Sequence, residues 1–242
     1  TVVASWQLVM SGVLQAVGIS ASAMRLEYAV TEPERRQAAD FLKHAGVESG
    51  CPLGLIAPGS GWSGKNWLPE RFGQVAAALA NEQRFQVAWI GSESERGLVP
   101  ASRREDLNWM GKTSLPMLGA IMEKADIFIG NDAGLLHLAA ALDVPTVSVW
   151  GPTSPGKWGP KGAIHRQIRK VDRCAGCVYW DYRETCRHDH ACMRAIPAAD
   201  VLAAIRGVLQ DSRSLATDAS VLGDGTNRGT QVPMPSKSTV DR

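Results

Sequence analysis

The chain has 242 residues, 45% of them apolar and 21% charged, with a formal net charge of +2. This composition suits one large globular domain or one domain with additional pieces, and a near-neutral balance gives no basic footprint for nucleic acid. No uninterrupted apolar run has the roughly 18 or more residues that a spanning helix needs, so no membrane span is expected.

Residues 1–20, TVVASWQLVMSGVLQAVGIS, are apolar but carry no basic stretch. They read as a helix with Trp6, Val9, Val13 and Val17 on one side, interior to a longer protein rather than a signal peptide. MRLEYAV (24–30) is a strand or an extended segment. Thr31 and Glu34 have the spacing of a capping box, and the helix they open runs through Ala38, Ala39, Phe41 and Leu42 to Ala45, with Gly46 as its stop. A new start follows at Cys51-Pro52. Leu53–Ala57 is a short apolar strand that breaks into Pro58–Trp67, where Gly59, Gly61, Gly64, Ser60, Ser63 and Lys65 compose a candidate anion cradle. It is not a Walker A loop, because Asn66 follows Lys65 where a hydroxyl is required. Pro69 opens the next helix, through Phe72, Val75, Ala76 and Leu79.

Arg84–Gly91 is the second strand. Glu93 or Glu95 after its end has the place of a ribose clamp, or of a helix-start charge. Leu107–Gly111 is a short edge strand, and Thr113 or Ser114 caps a helix from Leu115 to Lys124. The run Ala125–Trp150 then reads strand–helix–strand, a parallel pair with a right-handed crossover. Asn131 and Asp132 are N-cap types at its first junction, Gly134 admits close approach, and His137 lies one turn on, within reach of a phosphate oxygen. Thr153–Gly162 is a Gly/Pro-rich loop able to close over a ligand.

Four of the five cysteines lie between Cys174 and Cys192. Cys174, Cys177, Cys186 and Cys192 satisfy zinc by ligand count, but the spacing is irregular, and small thiols packed in a loop-rich excursion are the preferred reading. Cysteine usage points to a reducing, cytoplasmic setting. A closing helix is expected over Pro197–Leu209, and a disordered tail over 211–242.

Alternating strands and helices from Leu53 to Leu209 argue a doubly wound α/β domain, with ligand-binding loops at the carboxyl ends of its strands. The motifs PGSGWSGKNW, MGKTSL and GNDAGLLHLAAALDVPTVSVWGPTSP, with the late CM-x-x-I-P segment, resemble the lipopolysaccharide heptosyltransferases of glycosyltransferase family 9. The resemblance implies the C-terminal, donor-binding half of a GT-B architecture: residues 51–210 as the Rossmann-like donor domain, and residues 1–50 as a remnant of the acceptor-side domain and its connector. It further implies inverting transfer of heptose from ADP-heptose to a lipid A–core acceptor, without a cofactor, at the cytoplasmic face of the inner membrane. Carried over by position, Lys65 and Asp132 are the catalytic pair, on the donor diphosphate and the heptose hydroxyls. Ser60, Gly61 and Ser63 line the phosphate loop. Glu95 holds the ribose, Lys112 and Thr113 border the adenine, and Ala133, Gly134 and His137 meet the diphosphate. Position 133 is Ala where the family often has a hydroxyl. The family's general base, an Asp near the start of its first domain, has no counterpart in residues 1–50, so donor binding is expected to be better supported than transfer. A sugar-nucleotide epimerase of GT-B shape and a non-catalytic nucleotide-sugar-binding module are the alternatives. A dehydrogenase is disfavoured, since no G-x-G-x-x-G follows a strand.

Overall fold

The computed structural model describes residues 15–16, 26–103, 106–170, 177, 186 and 188–223. Most of the helix expected over 1–19, the stretch beyond residue 223, and Cys174 lie outside the described residues. The elements are α1 (Glu32–His44), β1 (Leu53–Ala57), α2 (Pro69–Gln83), β2 (Gln86–Trp89), β3 (Leu107–Asn108), α3 (Leu115–Met122), β4 (Ile127–Asn131), α4 (Gly134–Ala141), β5 (Thr146–Val149), α5 (Pro155–Trp158), β6 (His165–Ile168), α6 (Ala191–Arg194) and α7 (Ala198–Gly223).

The strands form one six-stranded sheet of order β3-β2-β1-β4-β5-β6, parallel throughout. The doubly wound Rossmann-like arrangement is therefore present. All residues of β1 and β4 are buried, as a parallel sheet covered on both faces requires. Alternation along the strands divides the core in two. Ile56, Val87, Trp89, Ile127, Ile129, Val147 and Val149 pack with Phe72, Val75, Leu79, Val201 and Ile205 of α2 and α7. Leu55, Ala57, Ala88, Ile90 and Phe128 pack with Ala38, Leu118, Ile121 and Leu136 of α1, α3 and α4. The chain winds outward from β1 in one direction and from β4 in the other. The crevice beyond the carboxyl ends of those two strands is thus the switch point at which such folds bind ligands.

α1 starts as expected: the Glu34 carboxylate accepts from the Thr31 N–H at 2.6 Å in a capping box. It does not stand off as a connector. Arg35 donates to both oxygens of Glu123 at the C-cap of α3, at 2.8 and 2.9 Å, and Phe41 meets Trp109 edge-on with ring centroids 5.3 Å apart. The packing unit accordingly starts ahead of residue 51.

Of the two readings of MRLEYAV, residues 26–30 join no strand, which leaves the extended segment. β6 was not legible, because His165, Arg166 and Gln167 hide the apolar signal of an edge strand paired only with β5. The closing helix continues to Gly223, past Leu209 and into the stretch expected to be disordered from residue 211.

Candidate functional site

The loop Pro58–Trp67 leaves β1 and returns to α2. Both of its ends are fastened to one side chain. Asn131, the last residue of β4 and 1% exposed, donates from its amide to the Pro58 carbonyl at 2.7 Å, and its amide oxygen accepts from the Trp67 N–H at 3.0 Å. The Trp67 indole donates to the Ile196 carbonyl at 3.0 Å, which ties the loop to the segment ahead of α7. Within the loop, the Ser60 hydroxyl lies 2.6 Å from both the Trp62 carbonyl and the Asn66 side chain. A hydroxyl donates once, so with the Asn66 amide turned to donate, Ser60 gives its proton to Trp62 and accepts from Asn66.

Asn131 is therefore a staple and not the helix cap expected of it, and Asp132 is not the cap either. The N-cap of α4 is Ala133, without a side-chain bond, so the first-turn N–H groups of α4 are uncapped by a side chain and face the crevice beside Gly134. A Cβ at Gly134 would meet nothing within 4 Å, so the space over it is open to a ligand.

Asp132 is 7% exposed. Its Oδ2 lies 3.3 Å from Lys65 Nζ and accepts from the Thr153 hydroxyl at 2.7 Å. The Lys65 and Asp132 side chains are 12% and 10% exposed, so this pair is shielded but not sealed from solvent. His137 faces the same cluster. Burial lowers its pKa, Asp132 raises it and Lys65 lowers it again, with a net depression. The ring is neutral at pH 7 and offers a single N–H.

A cleft of ≈ 510 Å³ runs along this edge, lined by Gly59, Ser60 and Gly61 after β1, Gly91, Ser92 and Glu95 after β2, Thr113 and Leu115 after β3, and Ala133 and Gly134 after β4, with Tyr28, Ile90, Leu118, Leu135 and Leu138 as its apolar wall. The structure thus brings together six sequence candidates: Ser60, Gly61, Glu95, Thr113, Ala133 and Gly134. Lys65 and Asp132 pair immediately beside them. Ser63 is exposed and does not line the cleft, and Lys112 opens instead into a shallower hollow with Phe41, His44 and Trp109.

The two glutamates separate cleanly. Glu93 is exposed and pairs with Arg96 at 2.7 Å, which holds its carboxyl below the usual range. Glu95 caps its own turn, its Oε2 accepting from the N–H and hydroxyl of Ser92 at 2.8 Å each, while its carboxylate lies across the backbone of Gly59. Glu95 is thus a helix-start charge, and it also lines the cleft. Ser114 is the cap of α3, accepting from the Met117 N–H at 3.3 Å, which leaves Thr113 for the cleft.

A Cβ at Gly59 would overlap the Glu95 carboxylate, the movable end of a flexible side chain. Gly59→Ala is therefore expected to leave the melting temperature within about 3 °C of the parent, by a cost of roughly 1 kcal/mol. It should nonetheless weaken a hydroxyl-bearing ligand about as much as Glu95→Ala does. Calorimetric titration of both variants checks this equivalence.

Tyr28 and Leu115 are among the cleft residues that the sequence reading missed. Tyr28 comes from the segment ahead of α1, and its ring lies where a Cβ on Gly119 would come within 2.8 Å. Leu115 is 56% exposed at the rim, an apolar surface suited to a planar base. Only the pairing of Gly119 with an upstream aromatic could have pointed to Tyr28, and sequence spacing does not reveal such a pairing.

The loop after β5 contributes Thr153 to the site. Beyond it, α5 carries Trp158, 38% exposed, with Lys157 Nζ 4.8 Å from its ring centroid. Of the cysteines, Cys192 is buried in the core beside Met193, Cys186 accepts from the His190 N–H at 3.3 Å and Cys177 is exposed. Among the described residues no three His, Cys, Asp or Glu are grouped to hold a metal ion.

His165 is likewise depressed, first by burial and then by Arg166, with Asp143 opposing. Histidines whose folded pKa lies below the unfolded value add stability above about pH 6.5, and it is lost as the pH falls through the folded pKa. The melting temperature should therefore drop between pH 7 and pH 5, and His137→Gln with His165→Gln should flatten that slope. An unchanged slope in the double variant would assign the loss to other groups.

Chemically, this edge offers a long ligand an apolar wall with a carboxylate at one end, glycine backbone and a helix N-terminus in the middle, and a cation–carboxylate pair at the other. Among the described residues, no helix is long and apolar enough to cross a membrane.

The family model for glycosyltransferase family 9 (heptosyltransferase) matches residues 2–188. The chain is 31% identical over 169 residues to lipopolysaccharide heptosyltransferase 1 of Pseudomonas aeruginosa, an alignment covering 69% of this chain and 46% of that protein. It is 32% identical over 134 residues to lipopolysaccharide heptosyltransferase 2 of Salmonella typhimurium, covering 52% and 38%. The glycosyl transferase family 9 structure from Veillonella parvula superposes with a TM-score of 0.68 at 22% identity, over 83% of this chain and 58% of that one. ADP-heptose lps heptosyltransferase II of E. coli gives 0.62 at 22%, over 77% and 54%. At these identities the two structures establish likeness of fold. The chain spans about half the length of the curated relatives it matches.

Proposed function

The chain belongs to glycosyltransferase family 9, the heptosyltransferase family, and from that premise we propose that it is the donor-binding half of an inverting heptosyltransferase that takes ADP-heptose and serves a lipopolysaccharide inner-core acceptor. The observation that carries the reading is the convergence of loops after β1, β2, β3 and β4 on one ≈ 510 Å³ cleft, with the Lys65–Asp132 pair built from the same β1 and β4 loops. In this reading the ligand runs along the strand order. With neighbouring strands about 4.8 Å apart, the base lies over Thr113 and Leu115, the ribose at Glu95, the diphosphate between Ser60–Gly61 and the N-terminus of α4, and the sugar at Asp132.

In transfer, the departing nucleoside diphosphate gains negative charge. Lys65, the uncapped N–H groups at Gly134 and the neutral His137 N–H stabilise it there. Asp132 accepts from hydroxyls of the sugar. Deprotonation of the acceptor hydroxyl falls, in this reading, to a base outside the cleft. In this reading the unit that binds the donor comprises Tyr28 and α1 through α7. A lipid-linked acceptor would bring the enzyme to the cytoplasmic face of the inner membrane.

A thermal-shift panel with ADP, ADP-heptose, UDP, GDP and NAD tests the proposal. Ligand at about a hundred times its Kd adds roughly 2.7 kcal/mol, a shift of several degrees. Selective stabilisation by the two ADP ligands is expected. Equal response to all five, or to none in a chain that melts cooperatively, would overturn it.

A further inference from the structure

The Asp132 carboxylate divides its work between its oxygens. Lys65 and Thr153 both engage Oδ2, and among the described residues no hydrogen bond falls on Oδ1. Thr153 is 4% exposed and reaches Asp132 from the loop that follows β5, across the β4–β5 junction. The two partners of Oδ2 differ in kind. Lys65 is a long, flexible cation that a diphosphate would attract. Thr153 is a short neutral donor held by its buried loop, with χ1 restricted by β-branching.

We infer that Thr153 is a positioning residue that holds Asp132 Oδ2, so that Oδ1 is presented to the hydroxyls of the transferred sugar and Lys65 is released to the diphosphate. The inference rests on the donor-half reading and goes further by assigning sugar recognition to a Thr153–Asp132 unit. When Lys65 turns to the diphosphate, the Thr153 hydroxyl becomes the bond that fixes the carboxylate plane. Without it the carboxylate rotates, and one acceptor oxygen is no longer aimed at the ligand. Thr153 then acts on the sugar and not on the nucleotide.

The test compares ADP, which ends at the diphosphate, with ADP-heptose, which continues to Asp132. The parent chain, Thr153→Val and Thr153→Ser are titrated with both by calorimetry and melted without ligand. Thr153→Val keeps the branched shape and removes the donor, and Thr153→Ser keeps the donor. The expected result is ADP affinity within about twofold of the parent for both variants. For Thr153→Val the ADP-heptose affinity should fall by about tenfold, the size of one hydrogen bond to a charged group. Thr153→Ser should recover most of it. In an Asp132→Ala background, Thr153→Val should have no further effect. Should Thr153→Val not melt cooperatively, Thr153→Ala with the same serine comparison takes its place. A parallel loss for both ligands marks a merely structural hydroxyl and overturns the inference, as does an unchanged ratio. Failure of the parent chain to bind ADP at all overturns the donor-half reading and this inference with it. ADP binding without the Thr153 effect overturns this inference alone.

Discussion

Asn131→Ala is expected to lower the melting temperature by about 6–12 °C and to abolish nucleotide binding at concentrations that saturate the parent. The amide of Asn131 satisfies a carbonyl and an N–H at the two ends of the Pro58–Trp67 loop, and the residue is buried. Truncation leaves both groups without their partner. At roughly 1–3 kcal/mol for each unsatisfied group, the total comes to about 3 kcal/mol. For a domain of this size, 1 kcal/mol moves the midpoint by about 2–4 °C. The binding loss has a separate cause: the loop that presents Ser60 and Gly61 is no longer held at either end. Asn131→Asp keeps the acceptor for Trp67 but brings a carboxylate against the Pro58 carbonyl, and it should be no better than alanine. Scanning calorimetry with and without ADP measures both effects. An alanine variant that melts within about 2 °C of the parent would show that the staple is not needed.

Lys65→Met is expected to weaken ADP by roughly 10- to 100-fold, the range of one or two bonds to a charged group. Methionine keeps the apolar stem and removes the charge. In the unliganded chain Lys65 lies 3.3 Å from Asp132 in a shielded position, so its removal also leaves that carboxylate with Thr153 as its remaining hydrogen-bond donor among the described residues. Two effects therefore coincide, a lost diphosphate contact and a less compensated buried charge. The double variant Lys65→Met with Asp132→Asn separates them. It should recover melting temperature without recovering ADP affinity. Parent-like ADP affinity in Lys65→Met would remove Lys65 from the diphosphate site.

The parts of the site that could be read from sequence share one property: each stands directly after a buried strand. β1 and β4 are uninterrupted apolar runs, and the glycines and hydroxyls that follow them mark where the chain must turn over the sheet edge. Ser60, Gly61 and Gly134 were visible for that reason, and Ala133 through the family resemblance. Glu95 was visible, together with Glu93, by its place shortly after β2. The residues that were not visible act through long-range packing. Asn131 has the composition of a helix cap, but its partners are 64 and 73 residues away in sequence. Tyr28 reaches the cleft only because Gly119 leaves room for its ring on α3. Thr153 was noted only as part of a Gly/Pro-rich loop, since its bond to Asp132 depends on β4 and β5 lying side by side. Lys112 shows the opposite failure. It adjoins Thr113 in sequence, yet it lines the hollow with Phe41 and Trp109 and not the cleft.

The most direct test of the account is where a nucleotide base lands. Photolysis of the chain with 8-azido-ADP, followed by peptide mass spectrometry, reads this without depending on any variant. The account predicts adducts on Tyr28 and on the Thr113–Leu118 stretch, protected by excess ADP. Adducts confined to the hollow of ≈ 570 Å³ formed by α1 and Val47–Cys51 at the opposite end of β1, or labelling that excess ADP does not protect, would contradict it.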